Sequence, residues 1–157
     1  MSHPPVELQQ RPAIPVAVIR RRAAPAELSR LVPELCGVVW NALRAQQIRS
    51  GRHVAIYPGG DAPVEVGAEV AVPFAERDEV VCSNTPGGLV ASLTHFGPYQ
   101  GLGTAHHAIR AWCESNGHRL AGPCWEIYGH WDDTWNANPS QIRTDVFYLV
   151  DGQGAGR

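Results

Sequence analysis

The sequence predicts an α+β fold in which a strand–strand–helix–strand–strand module occurs twice, with two main helices packed on one antiparallel sheet. Three observations predict it. Two long segments carry apolar residues at three- and four-residue steps, and short β-branched runs punctuated by Pro and Gly flank each of them. The helical stripe Leu28, Leu31, Val32, Leu35, Val38, Val39 returns as Leu102, Ala105, His106, Ile109, Trp112, Cys113, each 74 residues on. Ala55-Ile56-Tyr57 is echoed by Glu126-Ile127-Tyr128, 71 residues later. Two modules related by a pseudo-dyad leave a central cleft between the helices, over the middle of the sheet, and such internal interfaces are common ligand sites.

Taken in order, residues 6–10 read as a short strand, Pro12 and Pro15 as a turn, and residues 15–20 as a β-branched strand. Residues 25–47 are helical by period. Pro33 and Gly37 weaken the first half, so the regular helix starts either near Pro25 or at Pro33, where a first-turn proline is tolerated. His53–Tyr57 is a strand ended by Pro58-Gly59-Gly60-Asp61. Residues 64–72 form another, with Gly67 suggesting a bulge. The polar run Glu76-Arg77-Asp78-Glu79 marks the midpoint. Strands over 80–83 and 89–95 follow, then the second helix, stopped by Asn116-Gly117, and strands over 125–128 and 146–150. One domain over residues 1–157 is expected, with repeats over about 6–75 and 78–150.

Composition narrows the function. A chain that is 44% hydrophobic and 18% charged is an ordinary globular one, long enough for a core. A net charge of −2 with a pI near 6.4 argues against direct nucleic-acid binding, and Arg20-Arg21-Arg22 reads as a solvated strand end. The start Met1-Ser2-His3-Pro4-Pro5 has no leader pattern, and no apolar run approaches the ~20 residues of a membrane span. Cys36, Cys82, Cys113 and Cys124 have no Cys-x-x-Cys spacing and read as reduced thiols in a cytoplasmic protein. His106-His107 with Cys113 does not give metal spacing on one helix face, and Asp132-Asp133 reads as a solvated loop. No cofactor or metal is expected.

Glu126 is the odd residue. It is the one acid in an apolar, aromatic strand, where an unpaired carboxylate costs several kcal/mol. Its repeat partner is Ala55, so the scaffold does not require an acid there. Alternation places Glu126 and Tyr128 on one face and Trp125 and Ile127 on the other. Either Glu126 faces a ligand, or it pairs with Arg110, Arg119 or Arg143. Tyr57 and Tyr128 are pocket wall or core. Trp40, opposite the core stripe of its helix, lies in the cleft, at a subunit contact or in solvent. Trp112 fills the core or touches ligand, and His95 and Tyr99 shape the corner before the second helix or touch ligand. His106 reads as a satisfied core histidine. The aromatic connection over residues 130–136, with Trp131 and Trp135, is a lid or part of an interface.

The set His95-x-Gly97-Pro98-Tyr99, an amphipathic helix, Gly122-Pro123, Trp125-Glu126-Ile127-Tyr128 and Arg143-Thr144-Asp145 before an aliphatic strand resembles the GyrI-like family. These are effector-binding domains found behind DNA-binding heads in multidrug-responsive bacterial regulators, and as free-standing proteins. The resemblance implies a free-standing binder of lipophilic, aromatic, often cationic compounds. It matches the family's buried glutamate to Glu126, its strand aromatic to Tyr128 and its final-strand tyrosine to Phe147, a departure that removes a hydroxyl. It leaves two alternatives open. One is a hydrolase of cyclopropane-bearing toxins using Glu126 and Tyr128 on water; the other is a topoisomerase-inhibitor-like interaction module, which the modest charge disfavours.

Overall fold

The computed structural model describes residues 5–151. The leader-free reading of the first four residues, and both ends of the expected 1–157 unit, lie outside the described residues. Within them, one antiparallel sheet is built from β1 (Glu7–Arg11), β2 (Pro15–Arg21), β3 (His53–Tyr57), β4 (Val64–Glu69), β5 (Val81–Asn84), β6 (Gly88–Phe96), β7 (Leu120–Tyr128) and β8 (Arg143–Val150). Their order across the sheet is β1-β6-β8-β7-β3-β4-β2-β5. Helices α1 (Leu28–Ala45) and α2 (Leu102–Ser115) complete the two strand–strand–helix–strand–strand runs that the sequence predicts.

Residues 12–14 join β1, at one edge of the sheet, to β2, which lies next to the other edge strand β5. A flat sheet of this width would hold its edges roughly 30 Å apart at the usual strand spacing, whereas three residues reach about 10 Å. The sheet therefore rolls. The pairing Arg11↔Gly88 on one side of the joint continues in register as Pro15↔Asn84 on the other, and between them Ile14 and Thr85 exchange hydrogen bonds. β1–β2 and β5–β6 thus form one bent ribbon that brings the edges together.

Rolling gives the sheet two apolar faces. On the helix side, Ala17, Ile19, Ala55 and Val66 pack with Leu35, Val39 and Leu43 of α1, while Ala91, Leu93 and Val146 pack with Ala105, Ile109 and Cys113 of α2. Inside the roll, Val16, Val18, Val54, Ile56, Trp125, Ile127 and Phe147 form a third cluster. Each fully buried Val, Ile or Phe side chain contributes about 1.5–3 kcal/mol. Gly67 belongs to this geometry. The bulge expected there is not found, because β4 pairs regularly with both β2 and β3. Instead, a Cβ at Gly67 would lie 1.8 Å from the Ala17 carbonyl oxygen, so only glycine lets β2 come so close.

Helix α1 begins at Leu28 and takes in Pro33. Pro33 forfeits the bond to the carbonyl of Ser29, an exposed residue that water can serve, while Leu31 and Val32 hold the first turns on the core. Helix α2 stops where Asn116-Gly117 predicts: Gly117 adopts φ +74°, and the His118 N–H bonds back to the Cys113 carbonyl at 2.8 Å. β7 and β8 start earlier than their alternation suggests, at Leu120 and Arg143, with irregular pairing between Leu120 and Cys124.

Helix α1 packs mainly on β4, and α2 on β6 and β8. The central strands β3 and β7 lie between, and there Ala55 pairs directly with Glu126. The pseudo-dyad runs between those two repeat-equivalent residues.

Candidate functional site

Alternation along β7 sends Cys124, Glu126 and Tyr128 to the helix side, where Tyr57 of β3 and Tyr148 of β8 also point. Helix α2 adds His106 and, one turn on, Arg110. These side chains form a continuous relay. Tyr128 donates its hydroxyl proton to Glu126 Oε1 at 2.5 Å, and His106 Nε2–H donates to Glu126 Oε2 at 2.6 Å. His106 Nδ1 lies 2.7 Å from the Tyr148 hydroxyl, which also accepts from the Arg110 guanidinium at 2.7 Å. Tyr99, in the short 3-10 turn that leads into α2, stands edge-on to Tyr128 with ring centroids 5.9 Å apart. Tyr128 packs against both helix-side clusters and so joins the two halves.

Glu126 is only 6% exposed. A carboxylate so far from water persists because both oxygens are hydrogen-bonded and a cation stands beside it. That cation is His106. Of the three arginines weighed as partners, Arg110 reaches Tyr148 and Arg143 pairs with Asp145 at 3.2 Å. Burial pulls the His106 imidazolium down, but hydrogen bonds to Cys124 and Glu126 and the Glu126 charge outweigh it and raise its pKa to about 9. At neutral pH His106 is therefore the imidazolium, hydrogen-bonded to Glu126. Burial, reinforced by the Glu126 charge, holds the Tyr57 and Tyr128 phenols well above their ordinary value, and burial pushes Tyr148 up to about 12. All three stay protonated and serve as hydrogen-bonding groups with flat apolar faces.

The structure brings together Glu126, Tyr128, Tyr57 and Tyr99 from the sequence-predicted set. It separates the others. Phe147 is a correction: it sits inside the roll, on the face opposite Glu126, stacked on Trp125 at 5.4 Å with Arg11 over its ring. The helix-side aromatic of β8 is Tyr148, so the hydroxyl taken as missing is present one residue later. Trp112 packs on the second cluster and stacks on His118 at 5.3 Å, the role of core filler. His95 is buried and bonds the Pro98 carbonyl at 3.1 Å, which shapes the corner leading into α2. Trp40 is 41% exposed on α1, with the Arg44 guanidinium 5.0 Å above its ring. Trp131 and Trp135 contact each other edge-on, and Trp135 lines a shallow depression with Arg52, Gly129, His130 and Arg143. Sequence reasoning missed His106, Arg110 and Tyr148 as site residues. No group of three or more His, Cys, Asp or Glu side chains among the described residues is placed to hold a metal.

The rolled antiparallel sheet thus carries two helices and a polar relay that runs from buried Glu126 through His106 and Tyr148 to exposed Arg110. The chain belongs to the GyrI-like small molecule binding domain family, whose model matches residues 4–150. A search of curated proteins finds no match. Among solved structures it is similar to the EcmrR C-terminal domain, at TM-score 0.74 and 20% identity over 96% of this chain and 99% of that one. It is similar to SAV2435 bound to tetraphenylphosphonium, at TM-score 0.68 and 12% identity over 95% of each chain. A hydrolase from Listeria innocua is similar at TM-score 0.60 and 13% identity, over 93% of this chain and 91% of that one. At these identities the likeness carries the fold.

Proposed function

We propose that this protein binds lipophilic, aromatic compounds bearing a positive charge, in the cleft above β3 and β7, with Glu126 as the anionic anchor. One observation carries the reading. A nearly buried carboxylate stands among tyrosines from both halves, at a position the first half fills with alanine. A desolvated carboxylate attracts a cation strongly, and each phenol face over a cation adds about 0.5–2 kcal/mol. Flat rings supply contact area that tolerates ligands of different shape. The structural neighbour SAV2435, bound to tetraphenylphosphonium, supports this class of ligand. In this reading the protein works in the cytoplasm as a sensor or sequestering protein.

Titration of tetraphenylphosphonium and rhodamine-type cations into wild type and Glu126→Gln tests it, with tryptophan quenching as readout. Wild type is expected to bind, and the variant to lose at least about tenfold in affinity for cations while keeping neutral aromatics. Micromolar cation binding indifferent to the substitution removes Glu126 from the centre of this reading. A second reading is hydrolysis of cyclopropane-bearing toxins, with Glu126 as base for a water held by Tyr128. The pairing of Tyr128 with Glu126 and the hydrolase among the structural neighbours favour it. Ring-opened product accumulating with time, and abolished by Glu126→Gln, would give that reading first place.

A further inference from the structure

We propose that His106 is the cleft's internal counter-cation and sets its charge selectivity: it neutralises Glu126 in the empty cleft, and a permanent cation binds by expelling one proton from the imidazolium into solvent. The inference rests on Glu126 as the anchor and adds what the anchor does before a ligand arrives.

The geometry points to it in three ways. First, Glu126 is not waiting unpaired. Its two oxygens are taken by Tyr128 and by His106, the latter at 2.6 Å. A cation brought to the carboxylate meets the imidazolium in the same low-dielectric space, and two like charges there repel strongly. Second, the relay works in both charge states without moving a heavy atom. In the imidazolium, Nε2–H donates to Glu126 and Nδ1–H to Tyr148. When Nδ1 loses its proton, the Tyr148 hydroxyl, still accepting from Arg110, turns its own proton toward Nδ1, and Nε2–H stays on Glu126. Third, the arrangement belongs to one half only. The residue 74 positions before His106 is Val32, packed against the first core cluster.

The groups facing His106 are few. β7 presents Glu126, Cys124 and Tyr128, β8 presents Tyr148, and α2 itself presents Arg110 through Tyr148. Glu126 is the one facing carboxylate among them; against the pull of burial, the hydrogen bonds to Cys124 and Glu126, joined by the Glu126 charge, hold the imidazolium protonated at neutral pH. Once a ligand supplies the positive charge, that support is shared and the proton leaves.

The test is calorimetric titration of tetraphenylphosphonium into the full chain, in buffers of different ionisation enthalpy, between about pH 6.5 and 8.5. Triphenylphosphine oxide serves as the uncharged probe. Close to one proton is expected to be released per cation bound at neutral pH. Cation affinity should rise about tenfold per pH unit across this range, while affinity for the uncharged probe stays flat. His106→Gln keeps a donor for Glu126 but removes the titration, so its cation affinity is expected to be flat with pH and at least tenfold tighter than wild type at about pH 6.5. The proton count on wild type needs no variant. Cation binding with no proton release and a flat pH profile overturns the role of His106 and leaves Glu126 as anchor. No cation binding at any pH overturns the anchor reading, and this inference with it.

Discussion

The two halves of the molecule share a fold but not a chemistry. Helix positions correspond at 74 residues and inner-strand positions at 71, so His106, Arg110 and Glu126 stand where the first half has Val32, Cys36 and Ala55. The strand pairing extends the comparison. His53 pairs with Ala68 as Cys124 pairs with Tyr148, which makes Ala68 the counterpart of Tyr148. Four members of the relay therefore replace small or apolar residues of the first core cluster. Only the tyrosine is shared, as Tyr57 and Tyr128. The first half buries its helix against its strands with no ion pair at these positions, so the module needs none for stability. Burying an ion pair where Val and Ala suffice costs desolvation that hydrogen bonds offset only in part. The relay is thus an addition to the scaffold, and the helix side of the sheet is asymmetric, apolar under α1 and titratable under α2.

The strongest way to break this comparison is to put the second half's acid into the first. Ala55→Glu sets a buried carboxylate directly across the ladder from Glu126, without a histidine on its own side. Desolvation and like-charge repulsion are expected to cost about 3–5 kcal/mol, or to prevent folding. Urea denaturation measures it, and a loss under about 1 kcal/mol would show that the α1 side can already host a charge.

The reverse exchange is next in size. Glu126→Ala alone strands His106, with an expected loss of about 3 kcal/mol at neutral pH. Adding His106→Val gives the second half the residues of the first, and most of that loss should return as a coupling of about 1–3 kcal/mol in a double-mutant cycle. The sign with pH follows from His106. Its pKa of about 9 in the folded chain lies above the unfolded value of about 6.5, so its stabilisation is complete below about pH 6.5 and is lost as pH rises through 9. Wild type should lose a few kcal/mol over that window relative to the double variant, which carries no such slope. Parallel stability curves for the two proteins would rule out the ion pair as its source.

What could be seen in the sequence divides along the same line. Periodicity and the 74-residue echo were enough for both helices and the module order, because hydrophobic spacing is dictated by the faces each element buries. Glu126 was legible because an acid breaks that spacing. Its partner was not. His106 lies on the apolar stripe and reads as core, whereas the structure leaves it partly exposed beside Glu126; only its mismatch with Val32 marks it, and nothing local ties it to a strand 20 residues further on. Phe147 was misplaced for a different reason. The run Val146-Phe147-Tyr148-Leu149-Val150 is apolar on both faces of a rolled sheet, so it shows no alternation to phase, and a one-residue slip exchanges the faces. The roll itself depends on Gly67 and on the ribbon formed with β5 and β6, a long-range contact that local pattern does not carry.

That slip supplies the smallest and most discriminating test. Phe147 and Tyr148 are chain neighbours, both nearly buried, on opposite faces of β8. Phe147→Leu trims the interior of the roll and should cost about 1 kcal/mol of stability while leaving cation affinity unchanged, since the cleft lies across the sheet. Tyr148→Phe should cost about as much, by taking one hydroxyl from both His106 and Arg110. Its distinguishing mark is a shift in the cation affinity of up to about fivefold, with a changed pH profile, because Nδ1 loses the partner that serves both charge states. Equal costs in stability with unequal effects on binding would separate the two faces of a single strand. If affinity instead moved with Phe147 and ignored Tyr148, the ligand would lie inside the roll, and the relay on α2 would be an internal ion pair with no part in recognition.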